Sequence, residues 1–134
     1  MSATLDTCGL QSMLPLAGLL GMRVSEATPE AVRLELDWRE QLCTVGGAMH
    51  GGALMSLADT AGAVCAFLNL PAGAAGTATI ESKTNLLAPV RGGTVTATAT
   101  PLRAGRSMIV VETELHADSG LVAKTLQTQA VLGG

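Results

Sequence analysis

The pattern of apolar and polar positions changes twice along the chain, from irregular to helical and then to alternating. An apolar run from Leu10 to Leu20 contains Pro15, which predicts a short helix that begins or breaks at the proline. Residues Met22 to Ala27 predict a first strand. Apolar and charged residues alternate from Ala31 to Trp38, which predicts a second strand with one exposed face.

A long helix is predicted over residues 51 to 68, after a glycine-containing loop from Arg39 to His50, and Asn69 and Pro71 end it. On a helical wheel one stripe is apolar and comprises Leu54, Leu57, Ala61, Val64 and Leu68. Another face is small or polar and comprises Gly52, Ser56, Asp59, Gly62, Ala63 and Ala66. We expect the helix to bury its apolar stripe and to present the small, polar face.

Four further strands are predicted after the helix, over Thr77–Leu87, Thr94–Leu102, Ser107–His116 and Leu121–Leu132. Turn residues separate them at 89–93, 104–105 and 118–120, and such short connections predict that consecutive strands pair as antiparallel hairpins. One helix and a sheet can bury both apolar surfaces only if the sheet curves around the helix. The sequence therefore predicts an α+β fold over residues 1–134, with a five- or six-stranded antiparallel curved sheet wrapped around one long central helix.

Composition adds an expectation about assembly. Charged residues make up 14% of the 134 residues and apolar residues 48%, with a mean hydropathy of +0.41, whereas charged residues form about 25% of a typical soluble domain. The missing polar surface predicts a homo-oligomer. We expect a homodimer that associates further as a dimer of dimers. The net charge of −3 and only two aromatic residues, Trp38 and Phe67, argue against a nucleic-acid partner.

Cysteine and histidine usage points to a reducing compartment without a metal. The three cysteines are widely spaced and form no C-x-x-C pair, so we expect a cytoplasmic protein without a disulfide framework. His50 and His116 lack metal-ligand spacing, and no cofactor is expected. The N-terminus lacks the basic region of a signal peptide, and the apolar stretch from Gly51 to Leu70 contains Asp59, so we interpret that stretch as a buried helix and expect no membrane partner.

The isolation of Asp59 is the main chemical clue. It is the only formally charged residue between Glu40 and Glu81, and its helical neighbours three and four positions away carry no charge. Two interpretations stay open, a functional carboxylate or a structural one that is solvated or bonded to a threonine hydroxyl.

His50-Gly51-Gly52 stands at the start of the predicted helix. Free N–H groups and the helix dipole at such an end could stabilise the oxyanion of an acyl-transfer reaction. The alternative interpretation is that the two glycines only allow the chain to turn into the helix. Neither a phosphate loop nor a G-x-S-x-G motif is present. Asp59 lies eight residues after Gly51, about 12 Å along a helix axis, so both can act on one carbonyl only if a second subunit packs its helix antiparallel.

The segment His50-Gly51-Gly52-Ala53-Leu54-Met55-Ser56-Leu57-Ala58-Asp59-Thr60 closely resembles the signature of the hotdog-fold thioesterases, in the phenylacetyl-CoA thioesterase-like branch. The order of predicted elements over about residues 10 to 133 is also similar to that family. Residues 85–89 resemble the end of a family strand, and Gly105-Arg106 its next hairpin. The resemblance implies an acyl-CoA thioesterase that releases a free acid and coenzyme A.

The resemblance also implies roles for individual residues. Gly51 N–H would be the oxyanion donor, His50 would shape its loop, and Asp59 would be the nucleophile or general base. Thr44 stands where the family often has Asn or Gln. Thr79 could hold a water molecule or be an ordinary strand residue, and strand alternation would place Glu81 and Lys83 on its face. The residues implied in substrate binding are Gly52, Thr44, Thr60, Arg91, Arg103 and Arg106, the arginines as partners of the coenzyme A phosphates or as solvated hairpin residues.

Two other functions stay open. A non-catalytic acyl-CoA-binding module could keep the fold without turnover, and the departure at Thr44 favours that alternative slightly. A dehydratase relative would need a histidine on the helix face where Asp59 stands. The acyl group itself is not specified by the sequence, because a pocket lined by Leu, Met and Ala could accept aliphatic or aryl chains.

Overall fold

The computed structural model describes residues 4–133 of the chain. Three α-helices, one 3-10 helix and six strands follow one another in the described residues. They are α1 (Thr7–Met13), α2 (Pro15–Leu20), β1 (Arg23–Ala27), β2 (Val32–Asp37), a 3-10 turn (Glu40–Leu42), α3 (Gly51–Leu68), β3 (Gly76–Leu86), β4 (Thr94–Ala104), β5 (Met108–Ala117) and β6 (Gly120–Leu132). The predicted elements are therefore present. The 3-10 turn is the one element in the described residues that the sequence pattern did not predict.

Pro15 divides the N-terminal apolar run into two helices. Asp6 caps α1 by accepting a 2.8 Å bond from Gly9 N–H, and Pro15 occupies the first turn of α2, where its missing N–H costs nothing. Gly21 ends α2 with a φ of 82°, a left-handed conformation that glycine adopts readily. The chain then turns directly into β1.

The strands form one antiparallel sheet in the order β1-β2-β4-β5-β6-β3. The predicted hairpins β4–β5 and β5–β6 are present, but the expectation that β3 pairs with β4 is wrong. Residues 87–93 carry the chain from one edge of the sheet back to its middle, and β3 pairs along its length with β6. A seven-residue connection is too long for a tight hairpin, which frees β3 to take the edge position.

Helix α3 lies on the concave side of the sheet and contacts strands β2 to β6. The predicted apolar stripe is in the core, with Leu54, Leu57 and Ala61 at most 2% exposed. Gly62 and Ala66, which the helical wheel placed on the small polar face, are buried as well. The sheet curves far enough around the helix to cover part of that face too.

Helix α3 also meets the length and hydropathy criteria for a membrane span, with 18 residues and a mean hydropathy of 1.4. Those criteria are equally met by the core helix of a soluble protein. In the described chain α3 packs against five strands, as expected of a core helix.

Strand β3 is an exposed edge. It hydrogen-bonds only to β6 within the described residues, so one row of backbone groups over eleven residues faces outwards. Ile80 and Leu86 on this strand are 61% and 51% exposed. A long edge strand with exposed apolar side chains is a surface that can pair with another chain.

Candidate active site

The first turn of α3 offers one backbone N–H without an acceptor. His50 precedes the helix and its Nδ1 accepts a 2.7 Å bond from Gly52 N–H. Ala53 N–H and Leu54 N–H donate to the carbonyl of His50. Among residues 4–133 no acceptor lies within bonding distance of Gly51 N–H, so this amide points its hydrogen away from the helix as an anion-stabilising donor would.

A larger residue would be crowded at both glycine positions of this turn. A Cβ at Gly51 would lie 2.6 Å from Cδ1 of Leu86, which closes over the start of the helix. A Cβ at Gly52 would lie 2.9 Å from Nδ1 of His50 and would disturb the cap. The cap uses the N–H of Gly52, a residue predicted to bind substrate, and leaves the N–H of Gly51, the predicted oxyanion donor.

A groove of about 290 Å³ opens beside Gly51. Its lining is mostly apolar and comprises Met49, Gly51, Leu54, Leu86, Leu87, Ala88 and Pro89. Gly51 thus borders an apolar space, where a hydrogen bond to a developing negative charge is stronger than in water.

Asp59 lies in the middle of α3, on the side that faces β3 and β6. Its Oδ1 accepts a 2.7 Å hydrogen bond from Nε2 of Gln127 on β6. Gln129 on the same strand donates a 2.5 Å bond from its Nε2 to Oγ1 of Thr79 on β3. Gln127 therefore contacts the carboxylate directly, and Gln129 and Thr79 form a second hydrogen-bonded pair, which Gln127 Nε2 approaches at 3.4 Å from Thr79 Oγ1.

Partial burial raises the pKa of the Asp59 carboxyl above its ordinary value, and this desolvation outweighs hydrogen bonds from Thr79 and Gln127, which act in the opposite direction. No charged side chain contributes to the shift. The side chain remains accessible to solvent in the single chain. An accessible carboxylate with a raised pKa is suited to accept a proton.

A second groove, of about 250 Å³, lies at Asp59. It is lined by Leu16, Met55, Ser56, Asp59, Thr60 and Ser82. The Ser56 and Thr60 hydroxyls each donate a 2.8 Å bond to the carbonyl four residues earlier. Thr60, predicted to bind substrate, thus lines the groove with its donor already used.

A β-bulge changes which residues of β3 face Asp59. Thr79 pairs with Gln129, but Glu81 pairs with Thr128, so Ile80 is the extra residue. The expectation that Glu81 and Lys83 share the face of Thr79 is therefore wrong. Those two side chains lie on the outer face, whereas the inner residues after Thr79 are Ser82, Thr84 and Leu86.

The structure keeps Gly51 N–H and Asp59 apart within one chain. Both belong to α3, and eight residues of helix separate them by about 12 Å. Each has its own groove, and these two half-sites can meet at one substrate only between two chains.

The remaining predicted residues lie at two ends of the sheet. Thr44 is exposed in the loop before α3, where its backbone pairs with Ala48, and Arg91 donates a 2.9 Å bond to the carbonyl of Gly46 in that loop. Arg103 and Arg106 are exposed at the far end of β4, about 33 Å along the strand from its start. One chain therefore does not bring all three arginines together.

No group of three or more His, Cys, Asp or Glu side chains that could hold a metal ion occurs in residues 4–133. His116 lies on the outer face of β5, with its Nε2 4.0 Å from an oxygen of Glu114. The two half-sites themselves present the N–H of Gly51 and the carboxylate of Asp59.

Gln127 and Gln129 are the site residues that the pattern analysis missed. They occupy inward positions of β6, and each is 1% exposed. Leu126, which directly precedes Gln127, points outwards and is 44% exposed. The available signal was two amides at alternate positions of one strand, since buried polar side chains require partners.

Comparisons with known proteins give the family of this chain. The family model described as "Thioesterase superfamily" matches residues 46–124, which include Gly51 and Asp59. "Putative esterase SSO2140" of Saccharolobus solfataricus is 35% identical over 100 residues, which are 74% of this chain and 70% of the relative. "Putative esterase Rv1847" of Mycobacterium tuberculosis is 28% identical over 99 residues, with 72% and 71% coverage.

Solved structures extend the likeness to almost the whole chain. The thioesterase HI1161 of Haemophilus influenzae superposes with a TM-score of 0.87 at 25% identity, covering 98% of this chain and 93% of the other. A mutant of the thioesterase PA1618 of Pseudomonas aeruginosa has a TM-score of 0.88 at 26% identity, with 98% and 97% coverage. The six-stranded curved sheet, its central helix and the family match agree, and this chain belongs to the thioesterase superfamily as a thioester hydrolase with the hotdog fold.

Proposed function

We propose that the chain is an acyl-CoA thioesterase that acts as a homodimer, with Asp59 of one subunit opposite the Gly51 N–H of its partner. The observation that carries the proposal is the split of the site. An amide without an acceptor and a carboxylate held by Gln127 lie on one helix, about 12 Å apart. Neither half-site alone provides both an oxyanion donor and a base.

An antiparallel pair of α3 helices would complete the site. If Gly51 of one helix lies beside Asp59 of the other, two-fold symmetry places the reverse pair alongside and generates two sites per dimer. The exposed edge of β3 supports such an interface, because pairing it with a partner's β3 would satisfy its free backbone groups and cover Ile80.

The reaction needs only water and the two half-sites. In the general-base route Asp59 takes a proton from water, and the water oxygen attacks the thioester carbonyl carbon while Gly51 N–H stabilises the oxyanion. The carbon–sulfur bond then breaks, and the thiolate leaves and takes up the proton from Asp59. The products are a free acid and coenzyme A.

A nucleophilic role for Asp59 is the other route. The carboxylate would attack the carbonyl carbon and release the thiolate, and water would then hydrolyse the resulting anhydride. A single turnover in ¹⁸O-labelled water, together with a trapping experiment, separates the two. Label in Asp59 identifies an anhydride that water opens at the Asp59 carbonyl. Label only in the released acid is expected of the general-base route and of an anhydride opened at the acyl carbon, and trapping with hydroxylamine distinguishes these two, because only an anhydride is trapped on Asp59.

Coenzyme A would be recognised outside the apolar groove by cations at its rim. The start of β3 pairs with Leu132, and the neighbouring Val131 N–H donates to the carbonyl of Ser107, so Arg106 lies at the end of the sheet near the C-terminus of α3. In an antiparallel pair that end approaches the partner's Gly51. Arg103 and Arg106 of one subunit and Arg91 of the other could thus flank one site, where their charges would bind phosphates.

The proposal is tested by thiol release from short, long and aromatic acyl-CoA substrates. We expect turnover of at least one class and a fall of at least about 10²-fold in kcat for Asp59→Asn, with folding retained. Binding of acyl-CoA without turnover by the wild type would indicate the non-catalytic module instead. Turnover by Asp59→Asn at the wild-type rate would remove Asp59 from the mechanism.

Hybrid dimers test the shared site. Asp59→Asn chains lack the carboxylate, and Gly51→Pro chains lack the N–H at the first helical position, where proline is tolerated. A dimer that contains one chain of each kind has one intact composite site. We expect mixed and refolded hybrids to regain activity that neither homodimer shows. Hybrids verified by mass that stay inactive would place the whole site within one subunit.

A further inference from the structure

Strand β6 carries two buried amide side chains against the central helix. Gln127 and Gln129 are each 1% exposed, and both Nε2 groups are directed toward the Asp59 site. Gln127 binds Oδ1 of Asp59 directly, at 2.7 Å. Gln129 binds the hydroxyl of Thr79, at 2.5 Å.

The orientation of Gln127 leaves one of its own atoms unsatisfied. Its Oε1 is buried and has no hydrogen-bond partner in the described chain. That oxygen packs against Gly62 of α3, where a Cβ would overlap it and would lie 2.9 Å from Cδ of the amide. Turning the amide over would face its oxygen to the carboxylate oxygen, so the negative charge of Asp59 determines the orientation.

The Thr79 hydroxyl completes a directed chain of hydrogen bonds. Its oxygen accepts from Gln129, and Nε2 of Gln127 lies 3.4 Å from the same oxygen. A hydroxyl that accepts from amides has its own proton left to donate. Nε2 of Gln127 contacts both this hydroxyl and Oδ1 of Asp59, so the Thr79 hydroxyl lies beside the carboxylate, and its hydrogen bonding favours the charged form.

We propose that Gln127 and Gln129 are positioning residues, which hold the Asp59 carboxylate ionised and in one orientation, Gln127 directly and Gln129 through Thr79. The inference rests on the proposed role of Asp59. A buried acceptor left without a partner lowers stability, so an arrangement that keeps one must gain elsewhere. Here the gain is a fixed carboxylate at the reacting centre, since small misplacements of such groups reduce rates strongly.

No charged side chain of the same subunit adjoins this carboxylate. The elements packed against it contribute Leu16 from α2, Thr79 and Ser82 from β3 and Gln127 from β6, and none of these side chains titrates near neutral pH. His50 of the same chain lies nine residues earlier, about 13 Å along the helix axis, but the proposed dimer brings the partner's His50 near Asp59, because it adjoins the partner's Gly51. Both histidines are unchanged in the Gln127 variant and in its control, so a difference between their pH profiles reports on the amide.

The first test is Gln127→Met, which keeps the side-chain length and removes the donor. Without that hydrogen bond the charged form of Asp59 is less stable, so we expect the acidic limb of kcat/KM to move to higher pH. We also expect kcat to fall by at least about tenfold while KM changes little. Thr113→Val is the matched control, because Thr113 is also fully buried with an unpartnered Oγ1 but lies on β5 away from Asp59. It should leave the pH limb and kcat unchanged.

A second measurement uses the wild type and needs no folded Gln127 variant. The side-chain amide protons of Gln127 should shift in NMR spectra with the titration of Asp59, and this pH dependence should vanish in Asp59→Asn. Amide resonances that ignore pH through that range, or a Gln127→Met enzyme with the wild-type limb and kcat, would overturn the inference.

Full activity of Asp59→Asn would reject the proposed function itself. An inactive Asp59→Asn together with a Gln127→Met enzyme of wild-type behaviour would reject only the positioning role. Rescue of the pH limb by Gln127→Asn is not expected, since the shorter side chain places its amide too far from the carboxylate.

Discussion

Replacing Gly62 by alanine adds one methyl group at the closest approach of α3 to the sheet. The new Cβ would overlap Oε1 of Gln127 and lie 2.9 Å from its Cδ. Gln127 is 1% exposed, and its Nε2 is held by Asp59, so the amide has no free space into which it could move. The helix must shift from β6, or the amide must leave the carboxylate.

The size of the effect follows from two opposing contributions. Alanine is favoured over glycine in the interior of a helix by about 1 kcal/mol. Overpacking a buried site costs typically 1–3 kcal/mol, and an overlap with a fixed amide belongs at the upper end of that range. We therefore expect Gly62→Ala to lower the free energy of unfolding by about 2 kcal/mol. The sign of this change is informative by itself, because at an uncrowded helical position alanine would raise the free energy of unfolding.

The assay is a double-mutant cycle by urea unfolding at one fixed protomer concentration, because association shifts apparent stability. In a Gln127→Ala background the added methyl group should fit, so the two changes should couple by about 1–3 kcal/mol. Gly18→Ala in α2 is the matched control, since its Cβ would meet Gln11 atoms no closer than 3.4 Å and should stabilise the chain. Additive effects, or a stabilising Gly62→Ala, would refute the packing argument.

Three further outcomes are expected. Folding raises the pKa of Asp59 above its unfolded value of 3.8, so the charged carboxylate opposes folding above pH 3.8. Asp59→Asn should therefore unfold at a higher temperature than the wild type at pH 7, and this difference should disappear below pH 3.8. Equal unfolding temperatures at both pH values would contradict this sign. Replacing Arg103 and Arg106 with alanine should raise KM for acyl-CoA and leave kcat mostly intact, and the increase in KM should become smaller as the salt concentration rises. If the double variant instead lost kcat equally on acyl-CoA and on small thioesters, these arginines would not form the coenzyme A surface. Burial raises the pKa of the Cys65 thiol to about 11, so at pH 8 an alkylating reagent should modify exposed Cys8 and spare Cys65 in the folded protein, as intact mass and peptide mapping would show.

Much of the site could be predicted because its chemistry is local in the chain. His50, Gly51 and Asp59 belong to one segment, and helical geometry alone places the glycine and the acid about 12 Å apart. The amides could not be found in this way. Gln127 reaches Asp59 across 68 positions of sequence, and its inward direction depends on the register of β6 with two neighbouring strands.

The sequence by itself determined the elements of this protein, because periodicity, proline and glycine act within a few residues of where they stand. It indicated the α+β class, the central helix and the isolated carboxylate. Only the tertiary structure decided that β3 lies beside β6, that the bulge at Ile80 turns Glu81 outwards, and that His50 uses the Gly52 amide while leaving that of Gly51. Strand order, bulge register and close approach are set by contacts between distant residues, and no local pattern records them.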